Sequence, residues 1–309
     1  MNGSGPRQLR CIVCAVFLLF TLVAGFTKVV VPSVFKEWQN GPNGTFNPPQ
    51  WASNATVMAV HNYTVHLYQK LNASASNYIS TNRGRENGVF YRYIVDHFDD
   101  FPDVAVFTHA DPAEHQPKFL HWIKCISPNA SYLSINNHRY YRKTDYWHKY
   151  ELWIEQCFRD VLKVVWNVNG TQEMARLLPL DRPISVSFYC CQQFLISREM
   201  IHRRPLSVWK KLLRILGEAD VCHNGEPEYE TLHSYHKKNV KVGPEPSLLP
   251  DTEDTRAPGT GRLTQAVTSE HLAHVIFGHH DLDMEWPSEK VVCQNFLPRS
   301  QCPGSPCVW

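Results

Sequence analysis

Two periods of apolar residues run through the chain. Residues 86–98 place Phe90, Tyr93, Ile94 and His97 on one helical face, and the run from Asp99 to Pro102 ends that helix because proline and its predecessor disfavour it. Residues 104–108, "VAVFT", then read as a short apolar strand. Helical spacing returns at 118–126. It returns again at 150–166, where Trp153, Ile154, Cys157, Val161, Val164 and Val165 share a face. Residues 184–189 and 193–196 read as strands. Ser197 caps a short helix to residue 203, and Ser207 caps another with Val208, Leu212 and Ile215 inward. A last helix covers 269–277, with Gly278 suited to its stop. Residues 57–60 form a weak strand that opens the compact part. Strands alternating with helices predict a single layered α/β domain over 57–290.

The flanks read differently. Residues 1–10 carry Arg7 and Arg10 and no acid, and residues 11–26 carry no charge at all. Read on to Val31, the segment is about 21 residues, near the ~20 that cross a bilayer, with basic residues favouring a cytoplasmic N-terminus. An uncleaved signal-anchor over 11–31 is the preferred reading. A cleaved signal peptide, with small residues at Val23-Ala24-Gly25, is the rival. Either route enters the secretory pathway, with the Golgi lumen preferred over the cell surface or secretion. Residues 32–56, rich in Pro, Gly, Asn and Trp, read as a stalk. Residues 239–262 read as a Pro-rich insertion, and 291–309 as a disulfide-tied appendage.

Composition agrees with that compartment. Asn43, Asn54, Asn62, Asn72, Asn129 and Asn169 each sit in Asn-x-Ser/Thr, against roughly two expected by chance. Of ten cysteines, eight follow the membrane segment: Cys125, Cys157, Cys190, Cys191, Cys222, Cys293, Cys302 and Cys307. An even count in an oxidising compartment points to disulfides of unreadable connectivity. The adjacent Cys190 and Cys191 are expected on opposite faces of a strand, not bonded to each other. Net charge is +2 over 309 residues, so bulk electrostatics gives no reason to expect nucleic acid.

Three segments carry candidate chemistry. Asn82-Arg83-Gly84-Arg85-Glu86 is a polar turn feeding a helix, whose free N–H groups and dipole suit a phosphate. The same residues also read as an Asn cap with solvent-facing arginines. The strand at 104–108 ends on His109-Ala110-Asp111, where open α/β sheets bind ligands, and residues two apart on a strand share a side. His109 and Asp111 there suit a divalent metal or a diphosphate, or simply cap a turn. Asp99, Asp100 and Asp103 read as a solvated helix stop. His279-His280-Asp281-Leu282-Asp283 has the composition of a metal site, although polar runs after helices are common. Gly-x-Ser-x-Gly, His-Glu-x-x-His and P-loop patterns are absent.

The blocks "TNRGRENGVFYRYIVDHFDDFPDVAVFTHAD", "YCCQQFLISREMIHRRPLSVWKKLL" and "SEHLAHVIFG", in that order, resemble domain-of-unknown-function family 3431 over roughly residues 57–280. That family brings no activity with it. More distantly, the turn, helix and Asp-bearing strand end resemble the nucleotide-sugar half of type-A glycosyltransferases, which implies a Rossmann-like mixed sheet. The resemblance implies that Asn82, Gly84, Arg85, Glu86 and Arg198 line a nucleotide-sugar site. It puts His109 and Asp111 in the Asp-x-Asp place, with Mn²⁺ or Mg²⁺ as the implied cofactor; His109 departs from the motif's first carboxylate. Glu199 would serve as a general base for an acceptor hydroxyl, or would only complement a helix dipole. The implied function is transfer of a sugar from a nucleotide donor to a glycan, protein or lipid acceptor. The alternative is a non-catalytic glycan- or protein-binding ectodomain.

Overall fold

The computed structural model describes residues 25–34, 37–39, 41, 45–69, 77–79, 86–146, 152–168, 184–218, 262–279 and 281–307. The first sheet strand is β1 (Lys28–Val34), seven residues of which six are buried. It runs parallel to β4 (Val104–His109), with Lys28 opposite Val104 and Ser33 opposite His109. On its other side β1 pairs in parallel with β2 (Thr64–Val65) and β3 (Tyr68–Gln69) at one constant register, so these two make a single interrupted strand. A strand flanked on both sides and covered on both faces must be apolar throughout. The run "KVVVPSV" is mostly apolar, and its buried Lys28 is met by the carbonyls of Ile123 and Lys124.

This corrects the expectation for the N-terminal flank. Residues 28–34 belong to the centre of the sheet, so neither a membrane span reaching Val31 nor a stalk beginning at residue 32 survives there. Residues 1–24 lie outside the described residues. Among those described, no helix is long and apolar enough to cross a membrane. The expected strand at 57–60 is instead helical: α1 (Gln50–Ser53) leads into α2 (Ala55–His61). Asn54 decides this, its side chain accepting from Thr56 N and Val57 N as a helix cap.

From β3 the chain reaches β4 through α3 (Glu86–Asp96), as a connection between parallel strands requires. Then come α4 (Phe119–Lys124), β5 (Tyr132–Ser134), β6 (Tyr141–Tyr146), α5 (Leu152–Trp166), β7 (Ile184–Tyr189) and β8 (Phe194–Ser197). After these follow α6 (Arg198–His202), α7 (Leu206–Leu213), α8 (Arg262–Ile276) and α9 (Glu289–Gln294). The main sheet runs β2-β1-β4-β8-β5, with β8 antiparallel to both neighbours, while β6 and β7 form a separate hairpin. The domain is therefore a mixed α/β fold with a mixed sheet, as the alternation predicts. Ser197 caps α6 through Met200 N as expected; α7 starts one residue before the expected cap Ser207, and α8 starts earlier than residue 269.

Each strand divides its side chains between two cores. Val31, Ala105, Phe107, Phe194 and Ile196 face the core under α3, α5, α7 and α8. Val30, Val104, Val106, Leu133 and Leu195 face the other, under α4. Large side chains such as Trp209, Phe90 and Phe107 are fully buried, each worth about 1.5–3 kcal/mol of transfer free energy. The C-terminal segment is not an appendage. Phe296 is buried in the second core and bridges Ile126, and Cys302 bonds Cys125 across 177 residues of sequence. Cys293 bonds Cys307, Cys157 is disulfide-bonded too, and Cys222 lies outside the described residues.

Candidate functional site

Because β1 and β4 are parallel, the sheet has a defined amino edge, at Lys28 and Val104, and a carboxyl edge, at Val34 and His109. The predicted site residues divide between them. Glu86 opens α3, whose C-terminal end leads into the start of β4, so this helix start lies toward the carboxyl edge with His109 and Asp111. Asn82, Gly84 and Arg85 lie outside the described residues. Arg198 and Glu199 sit at the amino edge, since Ser197 pairs with Val104. At the strand rise they are roughly 17 Å from His109. There Arg198 pairs with Asp103 at 3.3 Å and Glu199 with Arg203 at 2.8 Å, both largely in solvent. The structure therefore does not bring Glu199 and Arg198 together with Asp111.

The carboxyl edge gains residues that the sequence reading missed. His115 comes back from the loop after β4 and stacks on His109, ring centroids 4.6 Å apart and 8° from parallel. Tyr140 packs on His115, ring centroids 4.7 Å apart, and Arg139 lies over the Tyr140 ring. His109 Nε2 and His115 Nδ1 are buried without a hydrogen-bond partner. Burial, and secondarily the neighbouring His109, hold the His115 pKa below its ordinary value. Asp111 is exposed, and its Oδ1 accepts from Ala113 N in a turn. Only the spacing "HADPAEH", two histidines either side of an Asp-Pro turn, hinted at the pair.

The β7–β8 connection completes the edge. Cys190 and Cys191 are bonded to each other, against expectation, because they lie in a turn and not in a strand. Cys191 and Gln192 have φ of 76° and 36°, the left-handed region that costs a non-glycine residue about 1–3 kcal/mol unless its surroundings impose it. The surroundings do. Asn136 Nδ2 donates to Cys190 O at 2.7 Å, and Glu270 accepts from Cys191 N at 3.1 Å. Gln193 accepts from Thr108 Oγ1 at 2.8 Å and donates to Pro112 O. Tyr189 Oη, Gln192 Nε2 and Asn136 Oδ1 nevertheless remain buried and unpaired.

A resident metal does not fit these groups. Among the described residues no three His, Cys, Asp or Glu side chains are placed to hold one. His109 and Asp111 supply at most two ligands, the number that Mg²⁺ takes from protein only when phosphates supply more. Of the 279–283 run, His279 and Asp281 are exposed and Asp283 is held by Lys143 and Ser187, which keep its pKa low; His280 lies outside the described residues.

These features describe a disulfide-tied mixed α/β domain whose unpaired polar groups collect at one sheet edge. The chain belongs to the family described as protein of unknown function, DUF3431, which it matches over residues 47–228. That segment includes β4, the histidine pair and the Cys190–Cys191 turn, but not β1 or α8. No curated protein and no solved structure matches the chain.

Proposed function

We propose that the protein is a glycosyltransferase-like enzyme of the secretory pathway that takes a sugar from a nucleotide donor. The observation that carries this is the carboxyl edge: β4 ends there, α3 starts toward it, and the edge buries imidazole nitrogens that lack partners. A helix start such as that of α3 suits a diphosphate, and Arg139 supplies a cation at the carboxyl edge. The His109–His115 stack supplies two buried ring nitrogens that lack hydrogen-bond partners. Asp111, exposed and just past the strand end, supplies a carboxylate at this edge. Mn²⁺ or Mg²⁺ would enter with the diphosphate, and no step here depends on it. The described disulfides and the sequons at Asn54, Asn62 and Asn129 support an oxidising, glycosylating compartment. Asn54 can cap α2 through Oδ1 while Nδ2 carries a glycan. Asn43, Asn72 and Asn169 lie outside the described residues.

One observation favours the second reading, a non-catalytic glycan- or protein-binding ectodomain: Glu199, the candidate base, lies at the other edge. The assay that separates them is nucleotide release from UDP-, GDP- and CMP-sugars with simple glycoside acceptors. Release by the wild type, lost in His109→Ala and Asp111→Ala with folding retained, supports the transferase. No release from any donor leaves the binding reading.

A further inference from the structure

We propose that Tyr189, Gln192, Glu270 and Trp286 form a saccharide-binding subsite on the α8 side of the carboxyl edge. A small pocket, partly open to solvent, lies between β5, the Cys190–Cys191 turn and α8, with Tyr132, Tyr189, Gln192, Glu270 and His274 in its wall. Its free space takes about one water-sized group. Two of its polar atoms, Tyr189 Oη and Gln192 Nε2, have no partner, although Tyr189 is only 8 % and Gln192 only 5 % exposed. Buried groups of this kind are rarely left unpaired. The left-handed backbone at Cys191 and Gln192, imposed by Asn136 and Glu270, is what holds the amide there.

The chemistry of the wall selects the occupant. An amide N–H donates, a carboxylate accepts, and a phenol does either, so the matching group is a hydroxyl, which also donates and accepts. The carboxylate of Glu270 disfavours a phosphate. Burial raises the Tyr189 pKa, which keeps its hydroxyl protonated. Beside the pocket, Tyr189 packs on Trp286 at 5.1 Å, and Tyr141 lies 5.7 Å from Tyr189. Trp286 is 39 % exposed. A pyranose meets both halves, its C–H face on the Trp286 side and one hydroxyl in the pocket. As the acceptor side of a transferase this subsite rests on the reading above. Saccharide binding itself does not.

The test reads saccharide binding without nucleotide, by saturation-transfer NMR on the full-length protein in detergent. The probes are the methyl glycosides of glucose, galactose, mannose and N-acetylglucosamine at millimolar concentration. The expected result is binding of at least one probe, weakened about tenfold, the scale of one lost hydrogen bond or stack, in both Tyr189→Phe and Trp286→Ala. The melting temperature of Tyr189→Phe should not fall, since an unpaired hydroxyl is removed. Binding by no probe, or binding indifferent to both variants, overturns the proposal. So does a fall in the melting temperature of Tyr189→Phe alone, which would show that the hydroxyl holds a structural water. Saccharide binding without any nucleotide effect would keep this subsite and remove the donor reading.

Discussion

The two edges of one sheet are finished differently. At the amino edge polar groups find partners. Asp103 accepts from Thr27 N and Oγ1, pairs with Arg198, and receives the Arg198 amide on its carbonyl. Lys28 is buried, its pKa lowered to about 8 by desolvation, and its ammonium donates to Ile123 O and Lys124 O at 3.0 Å. At the carboxyl edge His109, His115, Asn136, Tyr189 and Gln192 each bury a polar atom with nothing on it. Among the described residues His61 Nδ1 and Thr268 Oγ1 are unpaired apart from this edge, and Asn87, one residue into α3, lies toward it. A fold that could satisfy one edge and leaves the other unsatisfied has placed its cost where a ligand can offset it.

Acid should expose the contrast most strongly. His271 and His274 of α8 stand behind the carboxyl edge, their pKa values lowered by burial to about 3 and about 4. The unfolded chain binds protons near 6.5 that the folded chain refuses. The stability these two histidines contribute is therefore complete above about pH 6.5 and is lost as pH falls toward about 3. Melting curves across that window should drop steeply. His274→Gln, which keeps a donor for Asp281 O and Leu282 O, should flatten the drop.

A smaller effect belongs to the amino edge. Asp103→Ala strips the partners from Thr27 and Arg198 and should cost about 1–2 kcal/mol in denaturant melts, discounted for its partial exposure. Ligand binding should not change.

Smaller still in stability is His115→Phe. It keeps the stack on His109 and removes an unpaired nitrogen, so the change should stay within about 1 kcal/mol. Nucleotide affinity should nevertheless fall. The smallest is Glu199→Gln. Its ion pair is surface-exposed, so stability should move by no more than about 0.5 kcal/mol and activity not at all. A loss of activity there would break the division between the edges.

The sequence announced the carboxyl edge only in part. Apolar runs gave β4, β7, β8 and most helices, and the strand-end rule pointed to His109 and Asp111. What it hid was partnership across the chain. The spacing "HADPAEH" only hints that His115 returns to His109, and nothing local sets Asn136 against Cys190. Hydrophobicity misled at β1, where "KVVVPSV" reads as the tail of a membrane segment because a doubly covered parallel strand is as apolar as a span. Adjacency misled at Cys190–Cys191, because a bonded neighbour pair needs a turn geometry that only the tertiary contacts enforce. Glu199 was attractive for its type and position after a cap, and only the antiparallel register of β8 shows that it faces the wrong edge.

The central claim is that the carboxyl edge binds a nucleotide and the amino edge does not. The most direct measurement is a thermal-shift panel with UDP-, GDP- and CMP-linked nucleotides, with and without Mn²⁺, on wild type, Asp111→Ala and Glu199→Ala. One nucleotide at 100 times its dissociation constant should stabilise the wild type and Glu199→Ala by about 2.7 kcal/mol, and Asp111→Ala far less. No shift with any nucleotide, or a shift lost in Glu199→Ala and kept in Asp111→Ala, would contradict it.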